Sequence, residues 1–376
     1  LTFIIIVLIL KKRGGLLSVD FLQKQIEYLL SFITSNANLL INDKKLIIFC
    51  SDAVAYSYRF LFESTVPQAP SFDALFSLYN EQNFAFKMIA LSIMKSVVVA
   101  MKDFELKHLL EDKQEDNVIL FQRLYISPYF KIAADILLNN NANLIDPALE
   151  LLVGCFQMFE RRREFAEIDR YIFNPPPDIL PYYQNNDNAL PNTLFHLFDS
   201  SEPESIREEL SMKNLFYFAS ANEAAWLSQP LSQISFFIFT ASSITNLIKS
   251  SRCQKSPKSL YLMSRLIFKL AVLKIPVKHF FQANQQIAVE FFVAVHDLTI
   301  FAFQECFLDE PTSNYLIKFW GQIVSYRFDQ SSVSPEFMQL FPKIFNSCIE
   351  ALVNQNDEKI IQHVYDFEMS QYIDNS

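Results

Sequence analysis

Histidines and cysteines are the side chains best suited to metal binding or nucleophilic attack, and this chain has five of each. His108, His196, His279, His296 and His363 form no HxH or HxxxH pattern, and none pairs with a cysteine at the spacing a zinc site needs. His296 adjoins Asp297. Neighbouring positions on a helix diverge by about 100°, so no catalytic dyad is expected there. Cys50, Cys155, Cys253, Cys306 and Cys348 are odd in number, far apart and without a CxxC pair. That usage fits reduced, buried thiols in an intracellular protein. The expectation is a protein that is not an enzyme, with no cofactor and no metal.

Charge is the remaining candidate for function. Glu111, Asp112, Glu115 and Asp116 fall together in the polar stretch from Lys102 to Asn117. Acidic groups in a loop speed association with a basic partner and set specificity more than affinity. These four are therefore the candidate partner-binding residues, although the same pattern also fits a plain solvated loop. Arg161, Arg162 and Arg163 are bracketed by Glu160 and Glu164 and followed by Glu167 and Asp169. Opposite charges this close read as a solvated helix face. The net charge of −9 argues against nucleic-acid binding and permits a basic protein partner.

The elements that would carry these residues are helical. The chain of 376 residues is 51% apolar and only 19% charged, which is not a disordered composition. It has only 4 glycines, where average usage would give roughly 26. Gly-rich phosphate loops, nucleophile elbows and many-stranded β folds are excluded by that shortage. Apolar residues recur at helical spacing in Leu46, Phe49, Ala53, Tyr56 and Phe60, and again in Ile287, Phe291, Ala294, Leu298 and Phe301. Leu262, Leu266, Leu270 and Leu273 form a third stripe. Helix starts are expected at Ser127-Pro128, Asp146-Pro147, Ser256-Pro257 and Ser334-Pro335, with a capping box at Ser201 and Glu204.

This patterning predicts helices near 16–34, 43–63, 71–81, 84–104, 118–139, 146–168, 190–199, 203–219, 230–250, 257–273, 284–306, 311–327, 335–353 and 357–372. Helix pairs with short connections predict an all-α, HEAT/armadillo-like solenoid over 16–376, with a period of about 40–47 residues. A Pro/Asn-rich loop near 173–191 holds Pro175, Pro176, Pro177 and the Gln184–Asn188 run. Residues 1–15 are an atypical apolar segment whose positive charges follow the apolar run. Ten apolar residues fall short of the roughly 20 of a membrane span, and that charge order is not a signal peptide's. No membrane span is expected. The chain starts with Leu1 and is read as a fragment.

The stretch from Leu16 to Val353 resembles the importin-β superfamily of nuclear transport receptors, most closely the exportin seven or Ran-binding protein sixteen subfamily. The resemblance is carried by LLSFITSNANLLINDKKLIIFCSDAVAYSYRFLF from Leu29 to Phe62 and FQRLYISPYFKIAADILLNN from Phe121 to Asn140. YLMSRLIFKLAVLK around Leu260 to Leu273 and YLIKFWGQIV from Tyr315 to Val324 also carry it, with Trp320 at a family tryptophan. Order and spacing carry it rather than any single motif. The resemblance implies a monomeric, exportin-like receptor that shuttles between nucleus and cytoplasm through the nuclear pore. Its partners would be Ran GTPase in the GTP form, protein cargo and Phe-Gly nucleoporins, and Phe291, Phe292, Phe301 and Phe303 are available for the last. The family's N-terminal repeats are replaced here by LTFIIIVLILKKRGG, and a basic pair expected near Ser220 is replaced by Ala221-Asn222-Glu223-Ala224. The alternative is a Ran-independent HEAT-repeat scaffold or adaptor.

Overall fold

The computed structural model describes residues 10, 16–65, 72–107, 122–162, 171–173, 179, 182, 189–226, 230–272, 277–306, 310–325 and 335–353. These residues are helical apart from one short antiparallel pair of strands. The chain divides into two compact units, Leu1–Tyr183 and Gln184–Ser376.

In the first unit the helices are α1 (Val19–Ser35), α2 (Ala37–Leu40), α3 (Lys44–Thr65), α4 (Asp73–Asn80), α5 (Phe84–Lys107), α6 (Ser127–Leu138) and α7 (Ile145–Phe159). They start where side chains can take up orphan backbone donors. Phe21 N donates to Ser18 Oγ at 3.3 Å, Leu46 N to Asp43 Oδ1 at 3.1 Å and Ala85 N to Asn83 Oδ1 at 2.8 Å. Helix α3 packs on α1 and on α5, and α5 in turn packs on α7, so these four form a row. Helix α4 lies against α5, and α6 against α7.

Row neighbours are also tied by polar contacts. Ser51 Oγ on α3 donates to Ser92 Oγ on α5 at 2.8 Å, 41 residues on. Lys95 on α5 pairs with Glu150 on α7 at 2.5 Å. Gly154 lets α5 and α7 approach, since a Cβ there would stand 3.2 Å from Val98 Cγ1.

In the second unit the helices are α8 (Ala189–Ser200), α9 (Ile206–Trp226), α10 (Pro230–Lys249), α11 (Pro257–Val272), α12 (Val277–Ala283), α13 (Gln285–Cys306), α14 (Glu310–Ser325), α15 (Pro335–Met338) and α16 (Leu340–Val353). Two rows are present: α9, α11 and α14 pack in sequence, and so do α10, α13 and α16. Lys249 on α10 pairs with Glu290 on α13 at 2.6 Å, again 41 residues on. Between the rows lies an aromatic core. Phe237, Phe280, Phe291, Phe292, Phe319 and Trp320 are all buried, with ring centroids 4.7 Å apart for Phe237 and Phe280 and 5.1 Å apart for Phe319 and Trp320.

Several predicted boundaries move, each for a local reason. The helix predicted over 146–168 stops at Phe159, and Glu160–Arg162 (β1) then pairs antiparallel with Tyr171–Phe173 (β2). From Glu160 to Glu164 every residue is charged, so no apolar stripe remains to stabilise a further turn. The helix predicted over 284–306 begins one residue later, behind a separate short helix. Asn284 Oδ1 accepts from Ile287 N at 3.1 Å and starts α13. The segment 335–353 breaks at Gln339, because Pro342 has no N–H to donate to the Met338 carbonyl. Ser127 and Asp146 fall inside their helices rather than ahead of them; a single π turn, Gln122–Ile126, already leads into Ser127. Ser256 does cap, with Ser259 N donating to its Oγ at 3.1 Å. The cap sits four residues later than expected: Glu208 N donates to Ser205 Oγ at 3.2 Å, while Ser201 Oγ donates back to the Leu197 carbonyl. Ser334 and the helix predicted over 357–372 lie outside the described residues.

Candidate functional site

The most polar interior point of the second unit is Arg252, on a single 3₁₀ turn between α10 and α11. Its side chain is 1% exposed, and that of its partner Glu208 is fully buried. The guanidinium pairs with Glu208 Oε1 at 2.9 Å. It also donates to three carbonyls at the end of α8: Phe198 at 2.9 Å and Asp199 at 3.2 Å in its last turn, and Ser201 at 3.1 Å just after it. A fifth bond goes to Ser259 Oγ at 3.2 Å, and Phe198 lies beneath the guanidinium at 4.6 Å. Ser259 Oγ in turn donates to Glu208 Oε1, and Glu204 N donates to Glu208 Oε2 at 2.6 Å.

One cation thus satisfies carbonyls at the end of α8, and one anion accepts the Glu204 N–H just ahead of α9. The pair is fully used by structure. Arg252 joins the end of α8 to the starts of α9 and α11.

A second polar feature faces outward along α9, α11 and α14. Glu209 pairs with Lys213 at 2.5 Å and with Lys258 at 2.7 Å. Hydrogen bonds from Lys213 and then Lys258 hold the Glu209 carboxyl down at about 2. Farther along α11 stand two more cations, Arg265 and Lys269. Arg265 stacks over Phe216 at 4.3 Å, and Lys269 Nζ stands 5.7 Å from the same ring. Tyr315 on α14 closes the strip, 5.9 Å from Tyr261 and 5.7 Å from Phe268. Lys318, one turn on, is exposed. No described carboxylate pairs with Arg265 or Lys318.

Glu111, Asp112, Glu115 and Asp116 lie outside the described residues, as do Lys11, Lys12, Arg13 and the Gln184–Asn188 run. The backbone of Arg161 and Arg162 is in β1; their side chains and those of Ala221 to Ala224 are not described. Phe291, Phe292 and Phe303 are buried in the core, whereas Phe301 is half-buried. Cys50, Cys155 and Cys253 are buried and free. Burial pushes the Cys50 thiol up to about 11 and the Cys253 thiol to about 12, and raises Cys155 further still.

His196 and His279 are exposed, and among the described residues no His, Cys, Asp and Glu side chains cluster as metal ligands. His296 departs from expectation: its Nδ1 lies 2.9 Å from Asp297 Oδ1. The divergence by about 100° applies to the Cβ directions, and the ring torsion swings the imidazole back to its neighbour. Thr299, one turn along, uses its hydroxyl on the Val295 carbonyl and on Trp320 Nε1.

The aromatic core leaves a gap of only about 10 Å³ among Phe237, Phe280, Phe291 and Phe319. That is room for at most one water, so it is packing rather than a ligand pocket.

Arg252 carries no sequence motif, and nothing short of the fold announces it. Only part of the strip was legible: α11 holds Lys258, Arg265 and Lys269 and no acidic residue. A search for runs of like charge misses it, because the cations are spread over three turns. No protein-family model matches this chain, and no curated protein matches it significantly.

Proposed function

We propose that this chain is a helical-repeat protein that acts by holding partners rather than by chemistry, and that it is an exportin-like nuclear transport receptor. The row packing supports the repeat reading. Within each unit a helix buries its apolar stripe on the row neighbours before and after it. The ties Ser51 to Ser92 and Lys249 to Glu290 both span 41 residues, inside the period of about 40–47 for HEAT and armadillo units. Such arrays are stabilised by nearest-neighbour contacts and flex as springs, which suits a surface that wraps its partners.

Two helices, Phe84–Met101 and Gln285–Gln304, are long and apolar enough to cross a membrane by length and composition. In this reading they are the central helices of their rows, and 56% of each window is buried.

The resemblance narrows the repeat reading to transport. Ran in the GTP form and protein cargo share the array, each lowering the cost of ordering the curved form for the other. Hydrolysis on Ran releases both, and Phe-Gly nucleoporins carry the complex through the pore between nucleus and cytoplasm. Capture of Ran by the immobilised chain tests this. Preferential retention of the GTP form is expected; equal capture of GTP and GDP forms, or none, leaves the Ran-independent scaffold.

A further inference from the structure

We propose that residues 357–372 dock as a helix in the apolar groove between α14 and α16, and so extend the array by one more helix. The second unit repeats one arrangement. Helix α11 lies against α9 and α10, and α14 lies against α11 and α13. Each new helix of this row thus seats on its row neighbour and on the last long helix of the other row. The next position in the series lies against α14 and α16.

That position presents exposed apolar surface. Ile317 and Val324 are seven residues apart and share one face of α14; they are 49% and 57% exposed. Ile317 lies about 200° round the helix from Tyr315, whose ring meets Tyr261 and Phe268 of α11. This face therefore looks away from α11. On α16, Phe345 and Ile349 are 66% and 43% exposed. They continue at four-residue spacing from Phe341, whose ring meets Trp320 of α14 at 5.6 Å. Their stripe runs from the α14 contact out into solvent.

The occupant follows from the chain that comes next. Asn354, Gln355 and Asn356 alone separate Val353 from residue 357, and so short a connection returns a helix antiparallel to the one before it. Ile360, Val364 and Phe367 fall at i, i+4 and i+7 and make one stripe, and Ile361, Tyr365 and Tyr372 make a second beside it. Two stripes suit the two walls of the groove. Lys359, Gln362 and Asp366 fall on the opposite side, where a docked helix meets water. A second copy of the chain fits less well, because a tethered segment has the higher effective concentration.

The inference rests on the rows and not on transport, and its test contains no Ran, so either reading can fail alone. Hydrogen–deuterium exchange of the full chain, read by mass spectrometry, follows the amides of 357–372. An isolated helix of this length without a single alanine is marginal in water, so protection there reports docking. Exchange slower by about tenfold or more than in the same peptide free in solution is expected. The pair Ile317→Asp and Val324→Asp on one wall, and Phe345→Asp on the other, should each return exchange towards the free-peptide rate. Leu39→Asp, at an exposed site in the first unit, should leave the protection unchanged. Far-ultraviolet circular dichroism checks each fold, and Val364→Asp, in the segment itself, decides should the wall variants not fold. The inference is overturned by free-peptide exchange in the wild type or by protection that survives in the folded variants. Protection that fades on dilution overturns it too, since a second copy would then fill the groove.

Discussion

Arg252 costs the fold heavily to bury and more heavily to lose. Its four hydrogen bonds and the Glu208 carboxylate offset its desolvation. Two of the three described non-glycine residues with positive φ, Glu204 and Ser251, flank this site, and each left-handed residue costs about 1–2 kcal/mol. Arg252→Met leaves Glu208 charged and buried and should destabilise the second unit by about 3–5 kcal/mol. The double change with Glu208→Leu should cost less than the single one, because no bare charge remains. Both tryptophans, Trp226 and Trp320, belong to the second unit, so urea unfolding followed by tryptophan fluorescence reads this directly.

Gly321 is the opposite case. It lies inside α14, is exposed, and a Cβ there meets nothing within 4 Å. Gly321→Ala should stabilise by about 0.5–1 kcal/mol, read as a higher urea midpoint in the same assay.

Between elements, polar ties join row neighbours where apolar stripes alone would leave register loose. Glu209 shows how such a tie responds to pH. Its carboxyl is lowered from 4.5 to about 2 by Lys213 and Lys258. The folded state therefore binds that proton less readily than the unfolded chain. The stabilisation is fully present above pH 4.5 and is lost as pH falls towards 2. The pair stands at the surface, with 31% of the Glu209 side chain exposed, so screening holds the effect to under about 1 kcal/mol. The stability difference between wild type and Glu209→Gln should narrow between those two pH values in fluorescence-monitored urea melts. A difference that stays constant would mean the tie does not stabilise the folded state.

At the scale of the molecule, each unit has its own core, and the division between Tyr183 and Gln184 falls within the Pro/Asn-rich 173–191 stretch. Each unit produced alone, residues 1–183 and 184–376, should keep a helical circular-dichroism spectrum and unfold cooperatively. In the whole chain, tryptophan fluorescence should report the second unit alone, while circular dichroism at 222 nm reports both. Arg252→Met should then move the fluorescence transition and leave the first unit's share of the dichroism in place.

The helical class was determined by the sequence alone. Glycine scarcity and three-to-four-residue apolar spacing are local properties, and they need no partner to be read. Ser256 as a cap was legible for the same reason, since a cap is a contact across three residues. The tertiary structure decided what depends on distant neighbours. It ended α7 at Phe159 by pairing Glu160–Arg162 with Tyr171–Phe173. It moved the cap to Ser205, because Glu208 is held by Arg252 and Ser259 from beyond α10. It also set Phe216 beneath Arg265 and Tyr315 beside Phe268. Charges and rings about 50 residues apart become one surface only when the helices that carry them stack, and no local pattern encodes that adjacency.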